Sequence, residues 1–300
     1  MNNIIISFPD VKNFKFFMEN NVDGFLVGIK GFSENFNYLL KQSELNKICK
    51  ILKEKNKKIY IMLNKVYFNH EMDGLKLLLY KISKLEVNAV IFSDMAVFNI
   101  VKENKLDINI IWSSKLVTNF RTINFLEKRG LNGFLCSSEI TIDEFINIAK
   151  NTNSNCFIKL FGYTKMATSS RKLISNYFDY TNIKKDSKKK YYMKDKINNE
   201  YYPIIESDNT NFFSSKILNG ILEYKRLINE NIDFTILLDD YLIPENTFYN
   251  VIEAFVALKN YPTDDDFAGK LKMVVDSNNF NNTDNGFLNK NTIFKVKNNE

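Results

Sequence analysis

Short β-branched runs alternate along the chain with stretches whose apolar residues recur every three or four positions. The runs span residues 3–8, 24–29, 58–63, 88–93, 108–113, 132–136, 155–160 and 233–238. They are nearly continuous in apolar character, which predicts parallel strands buried on both faces. Between them, Leu45, Ile48, Ile51 and Leu52 fall on one helical face, as do Met72, Leu75, Leu78, Leu79, Ile82 and Leu85. Thr141 with Glu144 forms a capping box that opens a helix, and Gly130 after Glu127, Lys128 and Arg129 closes another. Eight strand–helix units within about 260 residues, with no glycine-rich dinucleotide turn after any strand, predict a (β/α)8 TIM-like barrel.

The beat breaks once. About seventy residues separate the seventh and eighth strands, far more than an ordinary βα loop. Within them two aromatic-rich arms flank "KDKINN" and predict a β-hairpin. The expected organisation is a barrel over 1–260, with 161–215 as a loop and hairpin insertion, and an arm over 261–300 packed on the barrel. "TDDD" at 263–266 reads either as a metal-binding carboxylate cluster or as the acidic start of a helix, and the helix suits it better.

The chain has 300 residues, 45% of them hydrophobic, enough for a large core. No apolar stretch reaches the roughly eighteen residues of a membrane span, and the start "MNNIIISFPD" lacks a basic leader and a cleavage site. A cytoplasmic protein without membrane contact is expected. Cys49, Cys136 and Cys156 are odd in number and widely spaced, which argues for buried thiols over a disulfide framework or zinc knuckle. The net charge of +6 permits a polyanionic partner. A single histidine, His70, must serve any triad or zinc site, and "YFNHEMDG" offers no such spacing, so no metal site is expected.

A barrel of this kind carries its chemistry at the carboxyl ends of its strands. The polar residues there are Asn64, Asp94, Ser113, Ser114, Asn119 and Glu139, then Gly162, Tyr163, Lys165, Ser169, Arg171 and Lys172 after the seventh strand. Bland roles compete with functional ones: Asp94 and Asn119 suit helix caps, and Glu139 suits a pair with a nearby lysine. The guanidinium fork of Arg171 suits a carboxylate or phosphate. Between Lys184 and Lys196 seven lysines face two acids, Asp186 and Asp195. Lys188, Lys189 and Lys190 beside Tyr191 and Tyr192 combine phosphate neutralisation with stacking faces, the two parts of an RNA contact; the competing reading is a solvated loop.

The strand followed by "GYTKMATSSRKLISNYF", and "YYPIIESDNTNFFSSK" after the hairpin, resemble the collagenase-like U32 family of peptidases. "IMLNKV", "AVIFSDMAVFNIVKE", "VTN", "RGLNGFLCSSEITIDEF" and "GFLNKNTIF" carry the resemblance across nearly the whole chain. It implies an enzyme or subunit of tRNA wobble-uridine hydroxylation with prephenate as substrate or cofactor source. The family's historical name keeps a collagenase-like peptidase as the alternative. Matching positions carry Asp94, Asn119, Glu139 and Arg171 over as catalytic, with Asn64, Gly162, Ser169 and Lys172 expected to bind substrate. The family's His-Gly histidine is replaced by Phe161, and the arginine before the glutamate by Ser138. Lys165 and Lys172 stand where cluster-bearing relatives have cysteines, so no iron–sulfur cluster is expected in this chain. These losses suggest a weakened or non-catalytic copy, a scaffold or partner to an active paralogue.

Overall fold

The computed structural model describes residues 2–10, 17, 19, 21–186, 189–262 and 265–290. The eight apolar runs become β1 (Asn2–Ser7), β2 (Gly24–Gly28), β3 (Lys58–Leu63), β4 (Ala89–Phe92), β5 (Ile110–Ser113), β6 (Gly133–Leu135), β7 (Asn155–Ser169) and, after the insertion, β11 (Phe234–Leu238). Each pairs in parallel with the next, and β11 closes the ring by pairing with both β7 and β1, Ile236 standing opposite Ile158 and Ile4. The result is the closed eight-stranded parallel barrel that the pattern predicts.

Alternation along each strand explains why the runs are apolar throughout. Ile5, Leu26, Tyr60, Met62, Ile91, Ile111, Leu135, Phe157 and Leu237 fill the barrel interior, where the Tyr60 and Phe157 rings meet edge to face at 5.3 Å. Their neighbours Ile4, Ile6, Phe25, Val27, Ile61, Val90 and Phe134 point outward into a second core beneath the helices. That outer layer is α1 (Leu45–Glu54), α2 (Met72–Ile82), α3 (Met95–Glu103), α4 (Phe120–Glu127), α5 (Ile142–Lys150), α7 (Ile221–Ile228) and α8 (Glu245–Asn260), while α6 (Leu173–Thr181) belongs to the insertion. The expected stripes are buried: Leu75, Leu78, Leu79 and Ile82 on α2, and Leu45, Ile48 and Leu52 on α1. The Thr141–Glu144 capping box opens α5, and Gly130 takes φ +91° just beyond α4.

One feature departs from the sequence reading. The seventh strand does not end at Leu160 in a loop. It continues to Ser169, leaving the barrel as a ribbon that pairs antiparallel with β10 (Thr210–Asn219). Beyond β10, β9 (Tyr201–Glu206) and β8 (Tyr191–Lys194) complete an antiparallel sheet, and β8 with β9 is the hairpin expected around "KDKINN". At the chain's end the helix expected at the aspartates is present. Asp265 and Asp266 open α9 (Asp265–Asn278), which packs on α8 and α7; Thr263 and Asp264 lie outside the described residues. A two-residue strand, β12 (Thr283–Asp284), then pairs with β10, and residues 291–300 of the expected arm lie outside the described residues.

Candidate functional site

A cavity of about 700 Å³ opens at the carboxyl ends of the barrel strands. Its floor is the inward layer of Leu26, Met62, Leu135 and Leu237, and its walls carry Ser93, Ser113, Ser114, Ser137 and Ser138 from the ends of β4, β5 and β6. The β7 ribbon roofs it from Tyr163 to Thr168, joined by Phe213 of β10. The insertion therefore converts an open barrel mouth into a covered pocket, the form in which small-molecule sites usually occur.

Lys159 is the one charged residue in the apolar part of β7, and its register opposite Leu237 points it inward. Its Nζ donates to Asp239 Oδ2 at 2.5 Å and to the Tyr163 carbonyl at 2.6 Å, with the two charged side chains only 16% and 20% exposed. Asp239 accepts further from Ser7 Oγ at 3.2 Å and from the Tyr241 N–H. So Asp239 is fully engaged in holding β1, β7 and β11 together at the mouth. Its neighbour Asp240 differs: burial and the Asp239 charge push its carboxyl up to about 7, against the lowering effect of Asn37, which donates to Oδ2 at 3.1 Å.

Three lysines line the cavity, Lys115, Lys159 and Lys165, against one carboxylate, Asp239. Lys115 bridges to Glu139 at 2.9 Å and donates to the Met166 carbonyl, pinning the roof to the wall. Lys165 hangs from the roof, and among the described residues its ammonium has no hydrogen-bond or ion-pair partner. Burial lowers its pKa, Glu34 raises it, and Lys115 lowers it. Glu34 itself accepts from Asn209 Nδ2 at 2.8 Å, a bond that ties the β9–β10 turn to the loop after β2 across the mouth. A pocket of hydroxyls with surplus positive charge suits a small organic anion.

The expected site residues separate into two groups. Asn64 lines the cavity and exchanges two bonds with the Glu34 backbone, 2.8 and 3.0 Å. Asp94 caps α3 through Ala96 N–H and also accepts from Tyr67 N–H, while the exposed Asn119 caps α4 through Thr122 N–H. Glu139 reaches the cavity only through Lys115. Gly162 sits where β7 leaves the barrel at φ +116°, and a Cβ there would lie 2.5 Å from the Asp239 carbonyl. Ser169, Arg171 and Lys172 stand at the far end of the ribbon and do not line the cavity: Ser169 pairs with Thr210, the Arg171 carbonyl accepts from Thr210 Oγ1, and Lys172 precedes α6. Arg171 is thus not joined to Asn64 in one constellation.

On the hairpin, Lys189 and Lys190 are exposed and Lys188 lies outside the described residues. Tyr191 turns inward, its ring 5.3 Å from Phe178 and its hydroxyl donating to the Asp186 carbonyl, whereas Tyr192 is half exposed. Sequence reading missed Lys159, Asp239 and Glu34. A lone lysine inside "CFIKLF" and an acid pair after "TILL" are the signals that point to the first two. Nothing local marks Glu34, whose partners come from 30 and 175 residues away.

His70 is exposed and stacked on Phe68, away from the cavity serines. Burial raises the thiols of Cys136 and Cys156, Cys156 to about 12, and the nearby Cys156 adds to the rise at Cys136; Cys49 lies on α1, raised by burial to about 11. Three inert buried thiols do not fit a four-thiolate cluster, and Phe161 is fully buried against Phe248. Among the described residues no group of His, Cys, Asp and Glu is arranged to hold a metal ion, and no helix is long and apolar enough to cross a membrane.

The sequence profile described as "Peptidase family U32" matches residues 9–294. The tRNA hydroxylation protein P2 of Bacillus subtilis is 27% identical over 237 residues, 75% of this chain and 77% of that protein. The tRNA hydroxylation protein P of Haemophilus influenzae is 29% identical over 126 residues, 41% of this chain and 27% of that protein, so the match spans about a quarter of its length. The solved structure of the U32 peptidase Mk0906 overlays with a TM-score of 0.49 at 12% identity, covering 79% of this chain and 92% of that one.

Proposed function

From the premise that the chain belongs to peptidase family U32, we propose that it takes part in hydroxylating the wobble uridine of tRNA in the cytoplasm. The observation that carries this reading is the similarity to tRNA hydroxylation protein P2 along 237 residues, three quarters of this chain. The cavity supports it. A modification that draws on prephenate needs a closed pocket for a dicarboxylate, and Lys165 with the wall hydroxyls of Ser113, Ser114 and Ser138 would hold the carboxylates. Prephenate would supply the small-molecule substrate, and the protein's part is to bind it, exclude water from it and neutralise it. Lys188, Lys189 and Lys190 of the insertion would meet tRNA phosphates.

The chain works in this reading with a paralogous subunit. Phe161 is a core side chain with no proton to move, and Ser138 leaves Glu139 to Lys115. Mass spectrometry of tRNA nucleosides from a strain lacking this gene tests the proposal. Hydroxylated wobble uridine should fall and return on complementation; an unchanged nucleoside profile overturns it. Expression in a strain lacking both this gene and its paralogue should fail to restore the modification.

A further inference from the structure

In an antiparallel sheet directly opposed residues share a face, and along a strand the faces alternate. Tyr192 opposes Pro203 and Lys194 opposes Tyr201, so these four share one face of the hairpin. Ile205 lies on that face by alternation, opposes Asn211 of β10, and Asn211 opposes Thr168 of β7. Phe213, two residues on from Asn211, follows a register shift in the pairing of β10 with β7. Thr168 and Phe213 both line the barrel cavity. The tyrosine face of the hairpin and the roof of the cavity therefore lie on the same side of the sheet, with Pro203, Asn211 and Phe213 buried between them.

Tyr192 and Tyr201 are 50% and 51% exposed, and the Lys194 ammonium sits 5.4 Å from the centre of the Tyr201 ring. They are diagonal neighbours on adjacent strands, a geometry that sets side chains about 7–8 Å apart. The opposite face is not free: Tyr191 meets Phe178 of α6 edge to face, and Glu206 binds the first turn of that helix. Helix α6 thus backs the sheet and leaves Tyr192 and Tyr201 outward. Around it stand the exposed Lys189, Lys190, Lys194 and Lys196. The nearby acids are engaged: Asp195 by Ile197 N–H and Asn198, Glu200 by Tyr202 and Ser215.

We propose that this face is a base-stacking platform that holds unpaired nucleotides of an RNA and leads them to the barrel cavity. Exposed aromatic rings interleaved with lysines recognise nucleic acid by stacking bases while neutralising phosphates, and only bases outside a duplex offer their faces. The choice of RNA over another polyanion rests on the tRNA reading above. Tyr201, outside the lysine run, is the second anchor, and Tyr191 is not one.

Fluorescence anisotropy of the full-length chain with a labelled eight-nucleotide uridine-rich single strand, and with a loop-free RNA duplex of equal length, tests this. The Tyr192→Leu/Tyr201→Leu variant should bind the single strand about 100-fold more weakly, roughly tenfold for each lost stack. The Tyr192→Phe/Tyr201→Phe variant should stay within about twofold of wild type, because Phe keeps the stacking face. Tyr180→Leu, at an 86% exposed position on α6, should change nothing. Equal single-strand binding by the Leu variant, or duplex binding as tight as single-strand binding, overturns the platform. Tyrosine-dependent binding together with unchanged tRNA hydroxylation in the deletion strain leaves the platform standing and removes the tRNA reading. Lost hydroxylation with tyrosine-independent binding does the reverse.

Discussion

Glu206 anchors the insertion, and Glu206→Gln measures how firmly. Its carboxylate is 3% exposed and accepts from the Ile174 and Ser175 N–H groups at 2.8 and 3.0 Å, from Ser175 Oγ at 2.5 Å and from Lys185 Nζ at 2.6 Å. It therefore caps α6 from another strand. Burial alone would raise its pKa, but the bonds from Lys185 and Ser175 outweigh burial and hold it at about 2, against 4.5 for a free glutamate. That difference corresponds to about 3 kcal/mol favouring the folded insertion at neutral pH. Because Lys185 is 34% exposed, solvent screening reduces this to about 2 kcal/mol. A depressed acid stabilises above its unfolded pKa and stops doing so as pH falls through its folded one. The advantage of wild type over the Gln variant should be complete above about pH 5 and roughly halved at pH 3. Hydrogen exchange of α6 amides reads this locally, with protection of the Ile174 and Ser175 amides falling about thirtyfold in the variant at pH 7. Unchanged protection, or a difference between the proteins that does not vary from pH 6 to pH 3, refutes the reasoning.

Gly162→Ala should destabilise the fold by more than about 1 kcal/mol in urea unfolding, since φ +116° is strained for any side chain and the new Cβ would meet the Asp239 carbonyl. Asp240 carries a raised pKa, so folding favours its protonated form, and stability is lost as pH rises from about 4 through about 7. Asp240→Asn should flatten the melting temperature across that window and be the more stable protein at pH 8. Lys165→Ala should weaken prephenate binding at least about tenfold in calorimetry while leaving urea unfolding unchanged, because the ammonium serves the cavity and not the fold. Replacing Lys188, Lys189 and Lys190 with Ala should reduce the salt dependence of tRNA binding by about 2–3 units of slope, and an unchanged slope returns the arm to solvent.

The sequence by itself determined the barrel. Each strand is buried on both faces, so its apolar run is unbroken and visible, and the helices that cover it show their stripes. Caps are equally local, which is why Thr141 with Glu144 and Gly130 were legible. At the seventh strand the sequence turns polar after Leu160 because β7 leaves the core there, and loss of burial looks like the end of a strand. Only pairing with β10, some fifty residues on, keeps Tyr163 to Ser169 extended. The site follows the same division. Sequence marks the strand ends, and so Asn64, Asp94, Asn119 and Glu139, but it cannot tell a residue that faces the mouth from one that caps the next helix. Lys159 and Asp239 are 80 residues apart, Glu34 and Asn209 are 175, and these pairs exist only because ring closure and the folded-back insertion bring them together. The faces of the hairpin were settled in the same way, by register and by the helix behind it, which half-buried Tyr191 and left Tyr192 and Tyr201 outward.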